Sequence, residues 1–289
     1  MNKSFLCSVS RVAIMGVTFF GLMLLVLQSG LKPAFAREDI TINGSTTVLP
    51  IIQKAAEAYM HEHPSVAISV SGGGSGNGIK ALLDGLTQIA MSSRDLKDSE
   101  IKQAEEKKIS PLRIPVGVDA MLPVVNPANP VTSLTLEQLK EIYKGNIKNW
   151  KEVGGNDAKI VVISRDTSSG TYESWEELVM KQEKVMPGAL LQASNGAVVQ
   201  NVSGNKNAIG YVGLGYLSSV IKKLNIGDLE ATTVTALSGE WPISRMLFLF
   251  TNGELEGAAG DFIAFVRDPQ KGQKLVEEIG FIPLPMDKR

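Results

Sequence analysis

The 289-residue chain has one cysteine, Cys7, and two histidines, His61 and His63. A lone cysteine forms no internal disulfide, so the fold has to rest on its hydrophobic core. The two histidines flank Glu62 just before Pro64. They lack the i, i+4 spacing that lets one helix face hold zinc, and no third ligand type stands near them. Any Ser-His-Asp arrangement would have to recruit one of this pair. Ser75 sits beside Gly76 but outside a G-x-S-x-G turn, so no nucleophile elbow is present. The run GGGSGNGIK (72–80) lacks the G-K-[ST] ending of a nucleotide-binding loop. There is no large charge excess either, with 29 basic against 30 acidic residues. Metal, thiol and nucleotide chemistry are therefore poorly provided for, and no cofactor is expected.

One long apolar run stands out, VAIMGVTFFGLMLLVL (12–27). Lys3 and Arg11 precede it and Ala34-Phe35-Ala36 follow it. A basic start, an apolar middle and small residues at the end make up a secretory signal peptide. Residues 1–36 are expected to be removed, leaving about 253 residues from Arg37. Cys7 lies before the apolar run, not at the cleavage point, so no lipid anchor is expected. Three of the basic residues (Lys3, Arg11, Lys32) and none of the acidic ones fall in this segment. The remainder carries 26 basic and 30 acidic residues. A mildly acidic surface disfavours nucleic acid and anionic membranes as partners, so any anion site must be local.

Strand-like and helix-like segments alternate along the rest of the chain, the pattern of an α/β protein. DITIN (39–43), VAISVSGGG (66–74), TQIAMSSRDL (87–96) and KIVVI (159–163) read as strands, with helical spacing after each. Thr135 and Gln138 form a capping box ahead of a helix. Two stretches, 112–126 and 241–252, are long and extended.

Four strand ends share one chemistry: GSTT (44–47), GGGSGNG (72–78), MSSRD (91–95) and SRDTSSGT (164–171). Each offers hydroxyls and backbone N–H groups, and two add an arginine. Taken singly, each is a helix cap; Ser169 is a natural N-cap. Taken together at the carboxyl ends of strands, where ligands of α/β sheets collect, they make a nest of donors for an anion. Arg94 and Arg165 could fork onto a tetrahedral oxyanion or pair with the adjoining Asp95 and Asp166.

INGSTTVLP, SGGGSGNGIKALLDG, IAMSSRDL, TLEQLKEIYKGNIKNW, SRDTSSGTYE, AIGYVGLGYL and WPISRMLFLFTNGE occur in one order. Together they resemble the phosphate-binding proteins of the phosphate ABC importer, the PstS family, over essentially the whole mature chain. The resemblance implies two α/β lobes joined by two crossover strands, the type II periplasmic-binding fold. Lobe one would comprise 37–116 and 244–289, and lobe two 117–243. It implies a periplasmic, monomeric, non-enzymatic receptor that hands inorganic phosphate to membrane ABC permease subunits. Transferred by motif, the phosphate ligands are Ser45, Thr46, Thr47, Ser75, Ser93, Arg94, Arg165, Ser169, Gly170 and Thr171. Some family members have an Asp in the turn corresponding to MSSRD, which here reads Ser93-Arg94, and another where this chain has Thr167. The acceptor for the phosphate proton therefore has to come from elsewhere, with Asp166 the first candidate and Asp95 the second. The alternatives are a receptor for sulfate or molybdate, a secreted phosphohydrolase using a cleft serine, and an oxyanion sensor.

Overall fold

The computed structural model describes residues 37–285, so the signal-peptide segment lies outside the described residues. The alternation in DITIN becomes β1 (Glu38–Gly44), which turns Ile40 and Ile42 into the core. The helix α1 (Leu49–Glu62) follows, with Pro50 in its first turn, where a missing N–H costs nothing. Next come β2 (Val66–Gly72), α2 (Ser75–Leu83), β3 (Ile89–Ser92) and α3 (Asp98–Glu106). β1 lies between β2 and β3, parallel to both. Parallel strands need crossover connections, which α1 and α2 supply.

β4 (Pro111–Val125) is one strand in two environments. Its first ten residues pair antiparallel with β11 (Ser244–Asn252), and β11 also pairs antiparallel with β3. From Met121 onward β4 pairs instead with β8 (Ala208–Gly213). β8 runs parallel to β6 (Val161–Arg165), and β6 parallel to β7 (Leu190–Gln192). Between these strands lie α4 (Leu136–Lys144), α5 (Gly170–Leu178) and α6 (Asn195–Ser203). The chain ends with α8 (Gly257–Arg267) and α9 (Gly272–Glu278), after a short α7 (Thr233–Leu237). The minor strands β5 (Ser133–Leu134), β9 (Lys222–Lys223) and β10 (Asn225–Ile226) gave no period in the sequence, being two residues each.

Two hydrophobic cores flank the crossing strands. One gathers Ile40, Ile42, Ile51 and Ile52 with Phe262 and Val276 from the C-terminal helices. The other gathers Trp150, Trp175 and Trp241 with Tyr143 and Tyr211. Trp175 and Tyr211 stack with centroids 4.2 Å apart. Each fully buried aliphatic or aromatic side chain of this kind contributes about 1.5–3 kcal/mol. Val116 packs into the first core and Val118 into the second; Leu247 packs into the first and Ile243 into the second. The molecule is thus two α/β lobes joined through β4 and β11. The carboxyl ends of β1, β2 and β3 face the carboxyl ends of β6 and β7 across the cleft between them.

Candidate functional site

In the first lobe the β1 turn places Ser45, Thr46 and Thr47, all buried. The Ser45 hydroxyl accepts from the backbone N–H of Thr47 at 3.1 Å and of Val48 at 3.4 Å, so it serves the turn that launches α1. Gly74, at φ +99°, makes the bend that sets Ser75 at the start of α2. Ser75 Oγ accepts from the Ser93 N–H at 3.1 Å and lies 3.3 Å from Ser93 Oγ. Two of the strand-end turns are therefore stitched together by side chains.

In the second lobe β6 delivers Arg165, 1 % exposed. Its Nε donates to the Gln192 carbonyl at 2.9 Å and its Nη2 to the Ala193 carbonyl at 3.0 Å. Its Nη1 is buried and has no hydrogen-bond partner among the described residues. Burial pushes the Arg165 pKa down, with Tyr211 and Asp166 opposing it; arginine remains charged regardless. Ser169 caps α5, its hydroxyl accepting from the Tyr172 N–H at 3.3 Å.

The lobes meet tightly. Thr47 Oγ1 and Thr171 Oγ1 are 2.9 Å apart. The Gly76 N–H donates to the Ser168 carbonyl at 3.0 Å, and the Ser168 hydroxyl, whose one proton is shared with Asp166, reaches the Gly73 carbonyl at 3.3 Å. A Cβ on Gly170 would stand 2.3 Å from Ser75 Oγ and 2.7 Å from Ser93 Oγ. Five of the ten residues singled out from the sequence, Thr47, Ser75, Ser93, Gly170 and Thr171, thus meet at one buried junction, and Ser45, Thr46, Arg165 and Ser169 are buried in the strand ends and turns that carry them.

Arg94 is placed differently. Its Nη1 and Nη2 clasp the Glu100 carboxylate at 2.7 and 2.8 Å, and Nη1 also donates to the Asp95 carbonyl at 2.7 Å. Its Nε pairs with Glu173 on α5, and Lys97 Nζ reaches the other Glu173 oxygen at 2.8 Å. Burial alone would lower the Arg94 pKa, but Glu100 and Glu173 outweigh it and the pKa is raised. The guanidinium is held by carboxylates, which fit it better than a shared anion site would, and the pair with Glu173 ties one lobe to the other. Truncating Arg94 to Met should therefore weaken anion binding by about tenfold, through looser closure. Because the cluster is part-exposed, the loss should shrink as salt rises from 20 to 500 mM. Titration calorimetry at the two salt levels checks this; a salt-independent loss would return Arg94 to direct contact with the anion.

The two candidate acceptors also part company. Asp95 is exposed and pairs with Arg113 at 2.7 Å. Asp166 closes a local turn, its Oδ1 accepting from the Ser168 N–H at 2.9 Å and from the Ser168 hydroxyl. It lines a cavity of about 490 Å³ at the cleft mouth with Thr46, Gly73 and Ser168.

Four residues that were not among the sequence candidates complete the junction. Arg245 on β11 and Asp119 on β4 are cross-strand partners. The Asp119 carboxylate is fully buried, and its Oδ2 accepts from Arg245 Nη2 at 2.8 Å and Nε at 3.1 Å. Its Oδ1 accepts from the Leu214 N–H at 2.8 Å. Asn195, at the head of α6, donates to Thr46 Oγ1 at 3.1 Å and Thr47 Oγ1 at 3.0 Å. The Tyr216 hydroxyl donates to the Thr46 carbonyl, and burial pushes its pKa up to about 12. A signal for the ion pair existed: each of the two extended stretches carries a buried charge within an apolar run, of opposite sign. Nothing in the sequence distinguishes Asn195 or Tyr216.

Among the described residues no cluster of His, Cys, Asp or Glu could hold a metal ion. No described helix is long and apolar enough to cross a membrane.

A family model described as a PBP superfamily domain matches residues 32–269. The phosphate-binding protein PstS of Borreliella burgdorferi is 34 % identical over 255 residues, covering 84 % of this chain and 89 % of its own. PstS of Bacillus subtilis is 32 % identical, covering 86 % and 82 %. Among solved structures, a Clostridium perfringens protein described as a phosphate ABC transporter substrate-binding protein with bound phosphate superposes with a TM-score of 0.80. It is 34 % identical and is matched over 86 % of this chain and 100 % of its own. An ABC-type phosphate transport receptor of Vibrio cholerae gives 0.69 at 37 % identity, over 85 % and 100 %. The two-lobed architecture, the order of the motifs and these relatives agree, and the chain belongs to the PstS family of phosphate-binding proteins, with the type II periplasmic-binding fold.

Proposed function

We propose that the protein captures inorganic phosphate between its lobes and delivers it to the membrane subunits of an ABC importer. The observation that carries this reading is the buried Arg165 Nη1, a charged donor with no hydrogen-bond partner among the described residues, at the end of β6 where the chain turns toward Ser169, Gly170 and Thr171. A buried cationic donor left unpaired is costly, and an anionic oxygen is what relieves it. Phosphate would be held by Thr46, Ser75, Ser93, Arg165, Ser169, Gly170 and Thr171, with Ser45, Thr47 and Arg94 shaping the turns beside it. The lobes are taken to divide near residues 116 and 243, where neighbouring side chains change cores. Such a receptor acts outside the cytoplasmic membrane as a monomer, and the N-terminal segment reads as its export signal. It is read as a carrier that needs no cofactor and performs no bond chemistry.

Phosphate near neutral pH carries a proton and sulfate does not, so rejecting sulfate takes an acceptor. We assign that role to Asp166, beside Arg165 at the cleft mouth. Calorimetry of ligand-stripped protein should show tight binding of phosphate and far weaker binding of sulfate and molybdate, with Asp166→Asn narrowing the gap. Equal binding of sulfate by the wild type would overturn the phosphate reading. An unchanged preference in the variant would remove Asp166 from its role.

A further inference from the structure

The hydroxyls of Thr47 and Thr171 sit in a hydrogen-bond circuit whose direction can be worked out atom by atom. Arg245 Nη2 carries two hydrogens. One goes to Asp119 Oδ2 at 2.8 Å; the other is shared between Thr171 Oγ1 at 3.0 Å and Thr47 Oγ1 at 3.3 Å. Nη1 of the same guanidinium donates to the Gly170 carbonyl at 3.2 Å. Guanidinium only donates, and a threonine hydroxyl has two lone pairs and one proton.

Thr47 Oγ1 receives the shared Arg245 N–H and an Asn195 N–H at 3.0 Å. Its lone pairs are then full, so its own proton goes to Thr171 Oγ1, 2.9 Å away. Thr171 Oγ1 now receives that proton and the Arg245 N–H, and its lone pairs are full as well. The Thr171 proton must leave in a further direction. We infer that Arg245, held by Asp119, is a positioning residue that makes Thr171 an obligate hydrogen-bond donor to the captured anion. This rests on reading the cleft as the phosphate site.

The consequence is a division of labour within the cleft. An oxygen that meets Thr171 has to accept, which favours an unprotonated oxygen there and steers the phosphate proton toward another part of the cleft. The bias holds at any pH the fold survives, because an arginine does not release its proton there. Thr46 is prepared in the same sense by Asn195, which occupies one of its lone pairs.

A double-mutant cycle between Arg245 and Thr171 tests the inference. The glutamine in Arg245→Gln can accept as well as donate, so the circuit loses its fixed direction. Phosphate affinity should fall roughly tenfold for Arg245→Gln in the wild-type background. It should fall less than about twofold when Thr171→Val has already removed the hydroxyl. Because Arg245→Gln leaves Asp119 without its cation, the neutral pair Asp119→Asn with Arg245→Gln is measured alongside, and melting of each ligand-free variant reports folding. The neutral pair should fold and still bind phosphate roughly tenfold more weakly. An equal loss in both backgrounds would make Arg245 a residue of the fold alone, and full affinity in the neutral pair would overturn the inference. Absence of phosphate binding by the wild type would instead overturn the reading of the site.

Discussion

Replacing Arg165 with alanine is expected to weaken phosphate binding by about 3 kcal/mol, roughly a hundredfold. The guanidinium is buried, so its bond to a phosphate oxygen forms without competition from water and is charge-assisted. Two of its nitrogens already hold the Gln192 and Ala193 carbonyls and fix the fork, leaving Nη1 presented at no further entropic cost. Removing the side chain has two opposed effects on the ligand-free protein. It strands two carbonyls, but it also removes a buried cation that burial disfavours. The melting temperature without phosphate should therefore change little. The upward shift of the melting temperature that phosphate confers on the wild type should largely disappear, since bound ligand stabilises in proportion to the logarithm of its excess over Kd. Calorimetry and melting curves with and without phosphate check both halves. Affinity within a factor of three of the wild type would place Arg165 outside the site.

Gly170→Ala should be more damaging than its single added carbon implies. The new methyl would fall 2.3 Å from Ser75 Oγ and 2.7 Å from Ser93 Oγ, on the facing lobe. Neither serine can retreat freely: Ser75 Oγ accepts the Ser93 N–H, and both side chains are fully buried. The lobes would have to part by about an ångström, which also lengthens the 2.9 Å contact between Thr47 and Thr171. Misplacing several hydrogen bonds at once costs more than losing one, so a loss of at least about a hundredfold in phosphate affinity is expected. Lobe stability should be untouched, because Gly170 opens α5 with an ordinary helical backbone and alanine is a good helix former. Small-angle scattering distinguishes this from unfolding: at saturating phosphate the wild type should contract and the variant should not. Normal contraction and affinity in Gly170→Ala would show that the cleft yields at this point.

The fold was legible wherever a period was long enough to count. DITIN, KIVVI and the two extended stretches became strands, and the capping box at Thr135 and Gln138 opens α4 with both of its bonds formed. Hydroxyl-rich strand ends were legible as a candidate site because one chemistry recurred at one topological position. Side-chain allegiance was not. Arg94 looks like Arg165 in the sequence, yet it clasps Glu100, six residues along the chain, and Glu173, seventy-nine residues away. Nearness along the chain places the first within reach, but only the packing of α5 against the β3 turn supplies the second. Arg245 was hidden for the opposite reason. Its strand reads as a connector, and the register of β11 on β4 is what sets it beside Asp119.

The path of the chain has a consequence for synthesis and export. β11 fills the position between β3 and β4, and Phe262, Phe265 and Val276 of α8 and α9 complete the core that Ile40 and Ile42 begin. The lobe that starts first is therefore the last that can finish, since the residues from 117 to 243 separate its two halves. The second core is drawn, Ile282 apart, from residues between Val118 and Ile243, so it can form largely before the C-terminal helices are made. Contacts this distant in sequence form slowly, because loop closure precedes the contacts that reward it. A nascent chain would carry an open β3 edge and an unfilled core until its C-terminal helices emerge. On the proposed export reading, an order of assembly that withholds the final core until the last helices arrive keeps the chain threadable while it is being made.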